Sequence, residues 1–360
     1  MEHHFICPAK TAAGSHALAH LPFELFSAGA AGPMVLVDEG RGESPAVAAL
    51  KRAFNDSNLP LALAEVDPAD PASLKQIYTW YREGGCDALV VLGTGPLVNL
   101  AKQLLLTLAR GPEILRHPLN DIPSRDPALK AAPFFLLPTS PGPARDTGGT
   151  LVHKEETFTS PYLVPDLVCI SPELMAPDLP LEAILDAGFS ALAVCGEVLT
   201  RLDNPLARPY AHLGLTQVAA HFQPLVRFSL QPPPRAKADK AATLNHQATL
   251  TQATTAAGYL LTNFPDLECL SALPAPGGIS PGQAMALHLA EHIDRYPTPD
   301  ALLLPLAGME TFAATPSDQH GDKARVMVRD LFNTLYARSG GQIPRTPADL
   351  TTPNAEVPCD

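Results

Sequence analysis

Several things are scarce or missing in this chain, and each absence narrows what it can be. Its six cysteines (Cys7, Cys86, Cys169, Cys195, Cys269, Cys359) lie far apart with no C-x-x-C pair, so neither a disulfide framework nor a cysteine zinc site is suggested, and most are expected to be buried thiols. Lysine and arginine are scattered, and the formal net charge is -12. That balance argues against a nucleic acid or an anionic membrane as partner, since either calls for a basic face. No apolar run approaches the length of a membrane span, and the start, Met1-Glu-His-His-Phe5, lacks a charged segment followed by an apolar one. A cytoplasmic protein is expected. Internal repeats, a G-x-S-x-G elbow, a Walker lysine motif and an EF-hand loop are all absent from the sequence.

What is present is a core-forming chain of 360 residues, 46% hydrophobic, long enough for two domains. The most informative stretch runs from Gly84 to Arg110. Asp87 to Leu92 is an apolar run of strand length, Gly93-Thr94-Gly95 is a small-residue turn, and from Pro96 the positions Leu97, Val98, Leu100, Ala101, Leu104, Leu105 and Leu108 recur at helical spacing. Strand, tight turn and helix are therefore predicted. Proline at the first helical position wastes no amide hydrogen, and the glycines let a ligand approach the helix start, where free N–H groups and the helix dipole attract phosphate. An ordinary strand-to-helix connection has the same appearance.

Before this stretch, Met34 to Val37 is strand-like and ends in Asp38, Ala46 to Phe54 is helical, Leu61 to Val66 is strand-like and Pro71 to Arg82 is helical. After it, Pro133 to Pro138 and Asp166 to Ile170 read as buried strands. Alternation of strands and helices implies a parallel sheet, whose ligands sit at the carboxyl ends of the strands. Asp38, Gly93 to Gly95 and Thr139 all fall at such ends. From Pro180 only long helical patterns follow: Leu181 to Leu202, Pro209 to Phe228, Ala241 to Phe264, Gly282 to Asp294 and Asp322 to Ser339. The expected organisation is an α/β domain over residues 1–178 and a helical domain over 179–360, with Gln231-Pro-Pro-Pro-Arg235 a stiff connector inside the latter.

The motifs, in this order, resemble the iron-containing alcohol dehydrogenase family, whose relatives include maleylacetate reductases, glycerol dehydrogenases and dehydroquinate synthases. Leu36-Val-Asp38 matches the second strand and its ribose-facing acid. Gly93-Thr-Gly-Pro-Leu-Val-Asn-Leu-Ala-Lys102 is similar to the G-G-G-S-x-x-D-x-A-K pyrophosphate turn, and Leu137-Pro-Thr-Ser-Pro-Gly142 to the nicotinamide-side loop P-T-T-A-G. Ser171-Pro-Glu-Leu174 with Leu179-Pro180 resembles the end of the first domain, and Asp186 to Glu197 resembles the helix G-M-D-A-L-x-H-A-x-E. His288 to Pro305 resembles the histidine-rich stretch that runs into I-L-L-P. The resemblance implies a Rossmann-like α/β N-terminal domain with a parallel sheet, an all-α C-terminal domain in a dehydroquinate synthase-like architecture, a cleft between them, and a homodimer. It also implies NAD, with NADP less favoured, held by Asp38, Gly93, Thr94, Gly95, Asn99, Lys102, Thr139 and Ser140.

Departures from the pattern fall on the chemistry. The family's aspartate and histidine metal ligands, one helical turn apart, read Ser190 and Val194 here. A hydroxyl and an isopropyl group do not replace a carboxylate and an imidazole on iron or zinc. The family's proline-histidine before I-L-L-P becomes Tyr296-Pro-Thr-Pro-Asp300, Pro96 and Asn99 replace a serine and an aspartate, and Arg145-Asp146 stand in the G-T-G-S-E loop. No family metal is expected. Without one, another group must stabilise the alkoxide; the candidates are His288, His292, Tyr296 and Arg145, with the two histidines the catalytic pair. His288-Leu-Ala-Glu-His292 also fits the zinc-protease pattern H-x-x-E-H, but the third ligand that pattern needs has only Glu310 and Glu356 to draw on. Two readings follow: an NAD(P)-dependent oxidoreductase acting on a small alcohol or aldehyde without the metal, or a non-catalytic relative that keeps nucleotide binding.

Overall fold

In the computed structural model each of the long apolar runs in the N-terminal half becomes a strand whose alternate side chains enter two different cores. The structure describes residues 3–338 apart from 8, 56, 155, 178, 231–236 and 273–279; the Gln231 to Arg235 connector thus lies outside the described residues. In chain order the α/β half contains β1 (Lys10–Ala13), α1 (Leu21–Ser27), β2 (Pro33–Asp38), α2 (Pro45–Phe54), β3 (Ala62–Val66), α3 (Ser73–Glu83), β4 (Ala88–Leu92), α4 (Pro96–Arg110), β5 (Phe134–Leu137), a hairpin of β6 (Thr150–His153) and β7 (Glu156–Thr159), and β8 (Leu167–Ile170). Six of these strands form one wholly parallel sheet in the order β1-β8-β5-β4-β2-β3. Met34, Leu36, Leu89, Val91, Phe134 and Leu136 pack under α3 and α4, while Val35, Val37, Val90, Leu92, Phe135 and Leu137 pack under α1 and α2. Burial on both faces is why these strands read as continuous rather than alternating apolar runs.

The helical half begins with α5 (Leu181–Arg201), followed by α6 (Arg208–Ser229), α7 (Lys237–Asn263), α8 (Pro281–His292), α9 (Leu303–Ala314) and α10 (His320–Arg338). The last sheet strand ends at Ile170 and α5 starts at Leu181, on either side of the expected boundary. α5 is long and apolar enough to cross a membrane, yet 89% of its most apolar window is buried inside the protein; it is the central core helix of this half, packed against α6, α7 and α8. The N-terminal segment reaches back across both halves. Asn263 takes the N–H and the carbonyl of Ile6 at 2.7 and 2.9 Å, and β1 then joins the sheet beside β8.

One buried charge fixes the loop that connects the halves. The side chain of Lys102, on α4, is 1% exposed, and its ammonium donates to the carbonyls of Arg145, Gly148 and Thr150 at 2.7, 2.6 and 3.1 Å. Three acceptors use all three protons, so this geometry calls for the charged form even though burial lowers the lysine's pKa. One turn earlier, the amide of Asn99 pairs with both backbone groups of Val152 at 2.8 Å, as a further strand would. From the other side α7 comes so close that a Cβ on Gly258 would lie 2.1 Å from the Thr147 hydroxyl and 2.3 Å from the Ala144 carbonyl. Removing the ammonium orphans three buried carbonyls at once, at roughly 1 kcal/mol or more each. We therefore expect Lys102→Met to cost about 3 kcal/mol in urea unfolding, and a loss under 1 kcal/mol would contradict this account.

Candidate active site

β2, β4 and β5 deliver their carboxyl ends to one place. After β2 the chain goes to β3 on one side, and after β4 it goes to β5 on the other, so the sheet has its topological switch point between β2 and β4. Crevices outside such points hold the ligands of doubly wound sheets. Asp38 ends β2 there, half-buried, and a Cβ on Gly93 would lie 3.5 Å from its carboxylate. Burial raises the Asp38 pKa, with Arg41 opposing and Asp67 adding to the shift.

The turn after β4 has the shape that the glycines require. Gly95 adopts φ 60° and ψ -118°, a conformation costly for any L side chain, and a Cβ added to it would meet nothing within 4 Å. Its outer face is open to a ligand. Its inner face is held from below, where the Gly95 N–H donates to the Asp146 carboxylate at 2.7 Å. Asp146 is 4% exposed, and burial pushes its carboxyl up, with the Gly95 N–H and the charges of Lys102 and Arg145 opposing. The fit is tight: a Cβ on Gly142 would lie 2.4 Å from that carboxylate and 3.0 Å from the Thr94 Cβ. Thr94 and Ser140 join the two strand ends through a 2.9 Å hydroxyl pair, and the Thr139 carbonyl accepts from Ala176.

Of the residues singled out in the sequence, Asp38, Gly93, Thr94, Gly95, Thr139 and Ser140 are brought together at this switch point. Asn99 and Lys102 lie just behind it, and their side chains are engaged with the backbone of residues 145–152. Lys102 is no solvated helix lysine. His288 and His292 are elsewhere: their rings stack at 4.0 Å on α8, and the charges of Glu197, Glu268 and Arg201 act on His288. Glu197 is fully buried, accepting from the Glu268 and Cys269 N–H groups and from Arg201. It stands two helical turns, about 10 Å, along α5 from Ser190. The side chain of Tyr296 joins the same cluster, its ring under Arg201.

At the positions that the resemblance gives to the family's metal ligands, the side chains are engaged with the protein itself. Ser190 donates to the Ala187 carbonyl and accepts from the Ala144 N–H at 3.3 Å, Val194 is 0% exposed in the helical core, and the Thr298 hydroxyl is turned onto the carbonyls of Leu199 and Thr200. Among the described residues no group of three or more His, Cys, Asp or Glu side chains is placed to hold an ion. Glu356 lies outside the described residues, and among those described the zinc-protease reading of His288 to His292 finds no third ligand.

The structural role of Asp146 was not legible in advance. Two signals pointed to it: the glycines at 142, 148 and 149 around it, and Gly258, an isolated glycine inside α7, opposite. Such glycines mark close backbone approach.

Comparison with known proteins agrees with this geometry. Residues 8–172 match the model of the family described as iron-containing alcohol dehydrogenase. A 4-hydroxybutyrate dehydrogenase from Cupriavidus necator is 28% identical over 204 residues, 54% of this chain and 52% of that protein, so the match spans about half the length of the relative. The alcohol dehydrogenase from Oenococcus oeni superposes with a TM-score of 0.71 at 15% identity, covering 98% of this chain and 90% of that one. Maleylacetate reductase from Rhizobium sp. strain MTP-10005 gives 0.67 at 20% identity over 98% and 88%. The α/β half thus matches the iron-containing alcohol dehydrogenase family in sequence, and the whole chain shares the fold of the alcohol dehydrogenase and maleylacetate reductase structures.

Proposed function

We propose that the protein is an NAD-dependent oxidoreductase of the alcohol dehydrogenase type that acts on a small alcohol or aldehyde without the family's metal. The carrying observation is the switch-point crevice, in which the open face of Gly95 lies one strand away from the Asp38 carboxylate. A dinucleotide fits these residues: the pyrophosphate would lie over Gly95 at the start of α4, and Asp38 would accept from the adenosine ribose hydroxyls. When bound, the nicotinamide accepts a hydride from the alcohol carbon or returns it to the carbonyl. The chain itself supplies the open turn, a rigid loop beneath it, and the wall formed by Ala144 and Ser190. The curated relative named for 4-hydroxybutyrate supports a short hydroxy acid as substrate. Composition and family habit support a cytoplasmic homodimer.

A second reading, a non-catalytic relative that retains nucleotide binding, is favoured by one observation: Ser190 and Val194 leave α5 without an electrophile at the position where the family holds one. Turnover decides between the two. Steady oxidation of NADH in the presence of short aldehydes supports the first, and NADH binding with no turnover across that series supports the second.

Asp38 governs cofactor choice on this reading. A 2'-phosphate beside a carboxylate at about 4 Å is repelled, and even about 1 kcal/mol surviving screening and the nearby Arg41 gives roughly a fivefold preference. Titration calorimetry should find NADH tighter than NADPH, with Asp38→Gly narrowing or reversing the gap; an unchanged ratio makes Asp38 a turn residue only. Gly95→Val should abolish NADH binding in a protein with native circular dichroism, because the side chain both strains the turn and fills its open face, and unchanged affinity would move the cofactor elsewhere. Protein purified with iron and zinc supplied should carry far less than one equivalent of either. A stoichiometric ion lost on mutating Ser190 would refute the metal-free assignment.

A further inference from the structure

The loop that carries Asp146 also carries a cation, Arg145. In the 3-10 turn Ala144–Asp146, the two outer residues are buried and tied down in opposite directions. The Ala144 N–H is on the Ser190 hydroxyl of α5, and the Asp146 carboxylate is on the Gly95 N–H of the phosphate turn. Arg145 between them is half-buried, and its backbone carbonyl is clamped by Lys102. Its guanidinium makes no hydrogen bond or ion pair among the described residues. The nearby acids are already engaged: Asp146 with Gly95, and Asp186 with the Gly282 N–H at 2.6 Å. Asp146 and Lys102 both feel the charge of Arg145, but no acid among the described residues closes an ion pair with it, so its donors are left for a ligand between the phosphate turn and the helix that faces it.

A partly desolvated guanidinium is a rigid two-pronged donor matched to a carboxylate, and leaving it unpaired is costly. We propose that Arg145 binds the carboxylate of the substrate and so selects short hydroxy- or oxo-acids over neutral alcohols and aldehydes of equal length. This rests on the oxidoreductase reading above. It goes further in assigning a substrate-recognition residue that Asp38 and the glycine turn do not supply. The turn fixes the backbone from which the guanidinium springs, because its neighbours on both sides and its own carbonyl are bonded to three different elements, α4, α5 and the β4–α4 turn. The dinucleotide pyrophosphate offers the same oxyanion chemistry. Its neighbour Ala144 is bonded to Ser190, where the resemblance puts the family's catalytic centre, which favours the substrate.

The test compares 4-oxobutanoate with butanal, reduced by NADH, in wild type and in Arg145→Gln and Arg145→Lys. Wild type should favour the acid at least tenfold in kcat/KM. Arg145→Gln should lose tenfold or more on the acid, through KM, with butanal and the NADH Kd within twofold of wild type; Arg145→Lys should recover part of the loss, since it keeps the charge and loses the fork. Equal losses on both substrates, or none on the acid, overturn the proposal. So does a tenfold weaker NADH Kd with the acid preference intact, which assigns Arg145 to the pyrophosphate. If wild type turns over neither aldehyde, the oxidoreductase reading fails on its own, and titration of butanoate with and without NADH still judges Arg145. Binding that disappears in Arg145→Gln upholds its role, and binding that is unchanged or absent in wild type refutes it.

Discussion

Everything that shapes the crevice hangs on the buried ammonium of Lys102. A lysine without solvent is tolerable only where each of its protons meets an acceptor, and here the acceptors are three carbonyls of one loop. By drawing them to a point, the ammonium forces residues 145–150 into a tight arc, and the arc sets Asp146 under Gly95 and Ala144 against Ser190. A glycine at φ 60° would otherwise wander among several conformations, whereas the carboxylate below it selects one. Preorganisation of the ligand-facing turn is thus a by-product of satisfying one charge in the interior.

The parallel sheet and its long helices were legible because they obey simple rules. Runs such as Ala88–Leu92 and Phe134–Leu137 are apolar on both faces, and α4 carries a helical apolar stripe between a proline start and a glycine end. Elements that were not legible break those rules. β1 is four residues long and largely exposed, with Lys10 and Thr11 in it, and it forms because β8 offers an edge rather than because its own sequence demands a strand. The β6–β7 hairpin buries only Leu151 and Phe158, too sparse an apolar pattern to announce two strands, and the side chain of Asn99 takes both backbone groups of Val152. α9 is apolar on every side and kinked at Gly308, so no periodicity announces it.

At the site, the strand-end residues could be placed from the sequence because topology alone brings strand ends together. Lys102 and Asn99 illustrate the opposite case. One helix face holds both, and spacing says nothing about whether that face meets a ligand or a folded-back loop; here it meets the loop. Distance along α5 likewise separates Ser190 from the polar cluster of Glu197, His288 and Tyr296, which sequence order had left adjacent. That cluster ties α5 to α8 and to the turn at Glu268.

The place of β1 bears on how the molecule assembles. Lys10 has a local partner in Glu24, but its strand partner is Leu167, and just ahead of it Ile6 is bonded to Asn263, so the ladder and seam of this segment wait for distant parts of the polypeptide. Closing loops of that length carries an entropic cost that local helices never meet, and it is repaid only once the distant segments are themselves ordered. A chain emerging from the ribosome would hold its first strand unpaired while the four strands β2, β3, β4 and β5 assemble without it. Capture of that strand waits for β8 and α7, and it adds a seam between the two halves to the one made by the 144–148 loop.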